Sequence, residues 1–385
     1  MNRVNEIRQR TILEITRKPT NETLSGTKPN PKVIENDVRS LLADIGYRFA
    51  QHPFRPHPLF TNGHSQTLAA YAWPRRTPHR SRNQLDEERL FTVAPEIQVM
   101  AHCRWQTNRH EHSTIVLWHG IEGSSSAVYM LSTADKAFRA GFNVVRMNVR
   151  NCGGTEHLTP TLYHGGLTDD LRVVVKELIE IDRLKRLFLV GFSLGGNMVL
   201  KLAGEFAADP PPEISAICAI SPSVDLHASA NLIGERRNWI YHRRFVTSLQ
   251  RRLNFKRRLY PDLYDSGTMP RNQTLRDFDD RITAPAFGFD GVDDYYTRAS
   301  SLPLLAHIRI PTLIIHAQDD PFIPFAPLRD PAVAANPYIL LLSPEQGGHV
   351  AFVAAKTRSS STAEDRFWAE NRAMEFCKLV DRGLV

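Results

Sequence analysis

From Thr114 onward the chain alternates short apolar runs with longer amphipathic stretches. The runs TIVLW (114–118), NVVRMNV (143–149), LFLVGF (187–192), SAICAIS (215–221), TLIIHA (312–317) and YILLLS (338–343) are rich in Val, Ile and Leu. They read as the strands of a sheet. Between them, residues 127–140, 168–182 and 195–208 have apolar positions at helical spacing, as does 363–380 at the end; Thr168, Asp169 and Asp170 suit the start of the second of these helices. This alternation predicts the α/β class, with a mostly parallel sheet flanked by helices. Upstream, LFTVAP and QVMAHCRW flank a turn at Pro95 and Glu96 and predict an antiparallel opening to the sheet.

The pattern lapses in two places. Residues 1–50 are polar, with one helical stretch from Asp37 to Arg48 whose Val38, Leu41, Leu42 and Ile45 share a face; the first thirty residues read as a mobile extension. The passage HPFRPHPLFTNGHSQT follows, and its prolines suit an extended, irregular cover. Residues 51–385 then form one domain, interrupted after the sixth strand by about 222–310, which has no clear strand and reads as an inserted helical cap.

The 385 residues, 42% hydrophobic and 23% charged, match ordinary globular usage and exclude fibrous or wholly disordered classes. Cys103, Cys152, Cys218 and Cys377 lack paired spacing, so neither a disulfide framework nor a zinc module is expected. The charged N-terminus lacks a secretory apolar core, and no run approaches the roughly 18 residues of a spanning helix. A cytoplasmic location is expected. Much of the net charge of +7 lies in residues 236–258, where Arg236, Arg237, Arg243, Arg244, Arg251, Arg252, Lys256, Arg257 and Arg258 are interleaved with Trp239, Ile240, Tyr241, Phe245 and Leu249. A solvated helix face is the simpler reading, peripheral contact with a lipid surface the second, and no nucleic-acid partner is expected. The oligomeric state is left open.

Candidate chemistry centres on Gly-Phe-Ser-Leu-Gly (191–195), directly after the strand LFLV and before a helical run. A nucleophile at such a strand-to-helix turn needs small neighbours, which Gly191, Gly195 and Gly196 supply. Ser193 is the candidate nucleophile and requires a base and an orienting acid; with a nucleophile elbow in an alternating sheet of this kind, the expected chain order is serine, acid, histidine. TLIIHAQDDPFIP offers Asp320, with Asp319 as a local cap or pairing residue. SPEQGGHVAF offers His349 behind two glycines. His316 reads as a packing residue beneath the acid loop, and His227, His242 and His307 precede the acid. The backbone N–H groups of Leu194 and of Ile121, in WHGIEGSSS, are the candidate oxyanion donors. His110-Glu111-His112 reads as a solvated turn and Asp293-Asp294-Tyr295-Tyr296 as cap packing, so neither metal nor cofactor is expected.

These segments carry a more specific resemblance. NGHSQT (62–67), HGIEGSSS (119–126), NVRNCGGTE with YHGG, GFSLGGNM (191–198), FDDRITAP with DDYY, HAQDDPFIP and GGHV resemble the YheT-like family of α/β-hydrolases over roughly residues 52–355. The chain departs from that pattern at Ser65 and Gly165. The resemblance implies the α/β-hydrolase fold, with Ser193, Asp320 and His349 as a catalytic triad acting on acyl esters as an esterase or acylglycerol lipase. Asn62, His64 and His164 read as structural. An acyltransferase using an alcohol acceptor with the same triad, or a non-catalytic binding module, are the rival readings.

Overall fold

The computed structural model describes residues 31–73, 75, 86–264, 273–356 and 364–383; the expected mobile extension, residues 1–30, lies outside them. Eight strands form one sheet: β1 (Glu87–Ala94), β2 (Ile97–Arg104), β3 (Thr114–Trp118), β4 (Asn143–Met147), β5 (Leu187–Phe192), β6 (Ile214–Ile220), β7 (Thr312–Ile315) and β8 (Ile339–Leu342). Their order is β1-β2-β4-β3-β5-β6-β7-β8. β1 pairs antiparallel with β2 and β2 with β4, while the pairs from β4 through β8 are parallel. Every residue of β3 to β7 is buried, as expected for strands covered on both faces, whereas β2 alternates between buried and half-buried positions.

The helices are α1 (Pro31–Ala50), α2 (Gly63–Ala72), α3 (Val128–Arg139), α4 (Thr168–Glu180), α5 (Leu194–Phe206), α6 (Leu226–Gly234), α7 (Trp239–Leu259), α8 (Leu275–Phe278), α9 (Ala284–Phe287), α10 (Val292–Ala299), α11 (Pro331–Ala335) and α12 (Trp368–Gly383), with a π-turn at Asp279–Thr283 joining α8 to α9. In α1 the residues Val38, Leu42, Ile45 and Phe49 are buried in the same core as the sheet, so this amphipathic helix is integral to the body. Between β6 and β7 the described residues form helices α6 to α10, the π-turn and two 3-10 turns, Arg236–Asn238 and Leu302–His307, without a strand.

One expectation fails. The segment HPFRPHPLFTNGHSQT, residues 52–67, was expected to be an irregular cover throughout, and its last residues instead open α2. Asn62 supplies the reason: its side chain accepts the Ser65 N–H at 2.9 Å while the Ser65 hydroxyl takes the Asn62 N–H at 3.3 Å, a reciprocal cap that nucleates the helix. Ser65, where the family pattern departs, is therefore a capping residue here.

Chain order reverses direction around β3, since β4 lies on one side of it and β5 on the other. In open parallel sheets a crevice forms at such a switch, beyond the carboxyl ends of the strands. The segments after β3, β5, β7 and β8 all meet there.

Candidate active site

β5 ends at Phe192 and α5 begins at Leu194, so Ser193 makes the whole turn, with φ 54° and ψ −117°. A non-glycine residue in this region is strained and persists only where its surroundings fix it. The Ser193 N–H donates to the Ile220 carbonyl at 2.9 Å, and the Ser193 carbonyl accepts the Asn197 N–H at 3.1 Å. The tightness of the turn explains Gly191, where a Cβ would fall 2.2 Å from the Gly195 carbonyl oxygen.

Asp320 and His349 come to this serine from the ends of β7 and β8. His349 Nδ1 lies 2.8 Å from Asp320 Oδ2, and its Nε2 lies 3.0 Å from Ser193 Oγ. With Nδ1–H donated to the carboxylate, Nε2 is left to accept the serine hydroxyl proton. Burial raises the Asp320 pKa, but the facing His349, its hydrogen bond, and N–H groups including that of Phe322 outweigh burial and hold the carboxyl below its ordinary value. Asp319 turns elsewhere, accepting the Gly348 N–H at 2.9 Å. His316 is buried with Nε2 3.1 Å from the Ile323 carbonyl, beneath the acid loop.

The loop after β3 runs beside the serine. Gly120 is close enough that a Cβ there would sit 3.0 Å from Ser193 Cβ, and Ile121 lines the same pocket. His119 anchors the loop from below: its Nδ1 donates to the Gly120 carbonyl at 2.7 Å and its Nε2 accepts the Val149 N–H at 3.0 Å. Burial lowers its pKa to about 4, so the ring stays neutral and keeps one nitrogen as acceptor. Tyr129 adds a second anchor, its hydroxyl accepting the Gly120 N–H at 3.1 Å. Leu194 opens α5, and the first N–H groups of a helix have no intrahelical acceptor.

Above these residues lies a cavity of about 860 Å³ including its mouth. Its walls are mostly apolar, with Leu162, Leu226, Ile233, Phe245, Leu249 and Phe278 among them, and helices between β6 and β7 supply much of the lining.

Residues 113–355 match the family described as alpha/beta hydrolase fold. Escherichia coli K12 has a relative named putative esterase YheT that is 30% identical over 332 residues, covering 83% of this chain and 91% of its own length. The chain belongs to the α/β-hydrolase family. Within it the chain sits in the YheT-like branch, and it is an α/β hydrolase of the esterase and acylglycerol-lipase type. Human phospholipase ABHD3 is 28% identical, with the match covering 67% of this chain and 63% of that protein. A Saccharomyces cerevisiae monoacylglycerol lipase is 29% identical over 69% of this chain and 59% of its own length. Among solved structures, the Pyrococcus furiosus esterase Pf2001 superposes with a TM-score of 0.51 at 15% identity, over 80% of this chain and 98% of that one, a likeness of fold.

Several of the segments that carry the resemblance brace the site. Gln66 in α2 bonds both sides of the strand-like segment after His349: its Oε1 accepts the Val353 N–H at 2.8 Å and its Nε2 donates to the Val353 carbonyl at 3.1 Å. Asn197 of GFSLGGNM ties α5 to YHGG and α10, its Nδ2 donating to the Gly165 carbonyl at 2.9 Å and the Ala299 carbonyl at 2.8 Å. His164 is half-buried and packs against Phe287, Phe289 and Tyr295, and desolvation lowers its pKa to about 3. In FDDRIT and DDYY, Asp279 accepts hydroxyl protons from Thr283 and Tyr296, each at 2.7 Å. These roles depend on closures across the fold and carry no local sequence signal.

The remaining candidates stay apart from Ser193. His110 and Glu111 lie in a 3-10 turn, and His242 Nε2 accepts the Leu275 N–H at 3.0 Å. His227 lies within 3.4 Å of Asp293. Among the described residues no group of His, Cys, Asp or Glu is arranged to hold a metal ion, and no helix is long and apolar enough to cross a membrane. All four cysteines are buried and unpaired. The basic stretch corrects a simple solvated-face reading: Arg252 and Lys256 turn inward. Lys256 is fully buried, its Nζ donating to the carbonyls of Glu156, at 2.9 Å, and Thr159, and burial lowers its pKa to about 7.

Proposed function

We propose that the protein hydrolyses carboxylic acyl esters through Ser193, His349 and Asp320 by way of an acyl-enzyme. The continuous hydrogen-bond chain from Ser193 Oγ to His349 to Asp320 is the observation that supports this most directly. His349 takes the hydroxyl proton as the serine attacks the carbonyl carbon, and the lowered Asp320 pKa keeps the opposing carboxylate charged as the imidazolium forms. The N–H groups of Leu194 and Ile121 receive the oxyanion. The protonated His349 then gives its proton to the leaving alcohol, and water, activated by the same ring, releases the acid.

The apolar lining of the cavity suits an acyl chain, in keeping with relatives named esterase, phospholipase and monoacylglycerol lipase. The exposed face of α7, where arginines flank Trp239 and Ile240, supports peripheral contact with the lipid phase in which such esters reside. A series of p-nitrophenyl esters of increasing chain length tests the reading. Ser193→Ala is expected to abolish turnover and labelling by a fluorophosphonate while the unfolding transition is retained. Undiminished hydrolysis in that variant would remove Ser193 as nucleophile.

A further inference from the structure

We infer that Glu122 is a positioning residue that couples the inserted helix α7 to the oxyanion loop. It rests on the reading of the Ile121 N–H as an oxyanion donor. Glu122 directly follows Ile121 and adopts φ 54°, a left-handed conformation that a glutamate does not favour by itself. Its side chain is only 5% exposed, and both carboxylate oxygens are engaged. Oε1 accepts from Arg252 Nε at 2.9 Å and from the Tyr163 hydroxyl at 2.9 Å. Oε2 accepts from Arg252 Nη2 at 3.1 Å and from the Ser248 hydroxyl at 2.6 Å. The Glu122 N–H in turn donates to the Tyr163 hydroxyl at 3.1 Å.

Two of these partners, Ser248 and Arg252, lie one turn apart on α7. Two parallel N–H bonds from a guanidinium fix both the position and the plane of a carboxylate, which a single contact cannot do. Arg252 is itself held, with Nη1 3.2 Å from Glu156 Oε1. The oxyanion loop is therefore gripped at two points: His119 and Tyr129 hold it from the sheet side, and α7 holds it through Glu122 from the insertion side. The Ile121 N–H lies between the grips. The donor is aimed at Ser193 only when α7 is seated, so the helix that walls the substrate cavity also completes the machinery beneath it.

The test uses the full chain with Arg252→Gln, Glu122→Gln and the double variant. Hydrolysis of p-nitrophenyl acetate is normalised to sites labelled by a fluorophosphonate, alongside thermal unfolding. Removing an oxyanion donor outright costs about 10²–10³ in kcat, so a misaimed donor is expected to cost about tenfold per labelled site. KM for this small ester should hardly change, because the contact forms in the transition state. The double variant should be no worse than the more impaired single one, since both break one link. Single variants that lose thermal stability and labelled fraction but retain wild-type kcat per labelled site would overturn the inference and leave a structural ion pair. A wild-type protein that fails to label, or an active Ser193→Ala, would instead overturn the hydrolase reading. Should Arg252→Gln not fold, Ser248→Ala carries the same test: lowered kcat at unaltered KM supports the coupling, and wild-type kcat rejects it.

Discussion

The Thr67 hydroxyl accepts the backbone N–H of His349 at 2.9 Å and donates to the Gly63 carbonyl at 2.6 Å, so the candidate base is pinned to a helix 282 residues earlier in the chain. Thr67→Val preserves shape but strands the His349 N–H, at a cost of about 1–3 kcal/mol. Activity should also fall, because the loop that aims the imidazole loosens. Urea unfolding and p-nitrophenyl acetate turnover check this together. Wild-type values in both would show that the bond does not support the base.

Gly348 is the second element of that junction. Its φ is +61°, and a Cβ would lie 2.5 Å from the Gly63 carbonyl oxygen and 2.8 Å from Thr67 Oγ1. Gly348→Ala therefore meets both backbone strain, about 1 kcal/mol or more, and a clash that pushes α2 from the His349 loop. Lower stability with a larger loss of kcat than of KM is expected. An alanine variant with native kinetics would mean that the loop relaxes freely.

How much of this was legible in the sequence follows from where each signal resides. Continuous Val, Ile and Leu runs mark β3 to β7 because strands buried on both faces need no polar alternation. Ser193, Asp320 and His349 could be named because each lies just past a recognisable strand, and the structure brings them within hydrogen-bond reach. The helix at 63–72 was missed because the density of prolines before it outweighed a cap made by only Asn62 and Ser65. Gln66, Thr67 and Glu122 were invisible as bracing residues since their partners are far away in the chain. Lys256 and Arg252 show the same limit in reverse: periodicity places cations on a helix, but only the packed neighbours reveal which of them are buried.

Asp279 makes the stability of the fold depend on pH. Burial raises its pKa to about 6, against hydrogen bonds from Tyr296 and Thr283 that lower it. The folded state thus holds this proton more tightly than the unfolded chain does. Stability from the group is present at low pH and lost as pH rises through about 6. Asp279→Asn removes the titration and can still meet both hydroxyls, donating to one and accepting from the other. Between pH 4 and pH 7.5 the wild type should lose roughly 2–3 kcal/mol relative to the variant, read by urea unfolding. Parallel profiles would mean that the carboxyl is ionised in the fold throughout.

The outer face of α7 combines basic and large apolar side chains. From Arg236 to Pro261 the chain has nine cationic residues and no acid. Arg243, Arg251 and Arg258 are exposed, and so are the apolar side chains Trp239, at 57%, and Ile240, at 62%. Arginine alone would suit many anions, but large apolar groups on the same face favour an interface in which they can be buried. The inward face, with Val246, Leu249 and Leu253, is buried with Leu275, Phe278 and Phe322, and Phe245 and Leu249 line the cavity, so a docked helix would bring the cavity's wall to the lipid surface. Arg243→Gln, Arg251→Gln and Arg258→Gln combined should weaken sedimentation with vesicles containing phosphatidylserine, at about 1 kcal/mol per charge at low salt, and leave turnover of dissolved p-nitrophenyl acetate unchanged. Binding of the parent protein should also weaken as salt is raised, and tryptophan emission should shift to the blue on neutral-to-anionic titration of the vesicles in the parent but not in Trp239→Phe. Equal sedimentation of parent and variant would assign these arginines to solvent alone, and binding that tracks added nucleic acid in place of vesicles would assign them to a different polyanion.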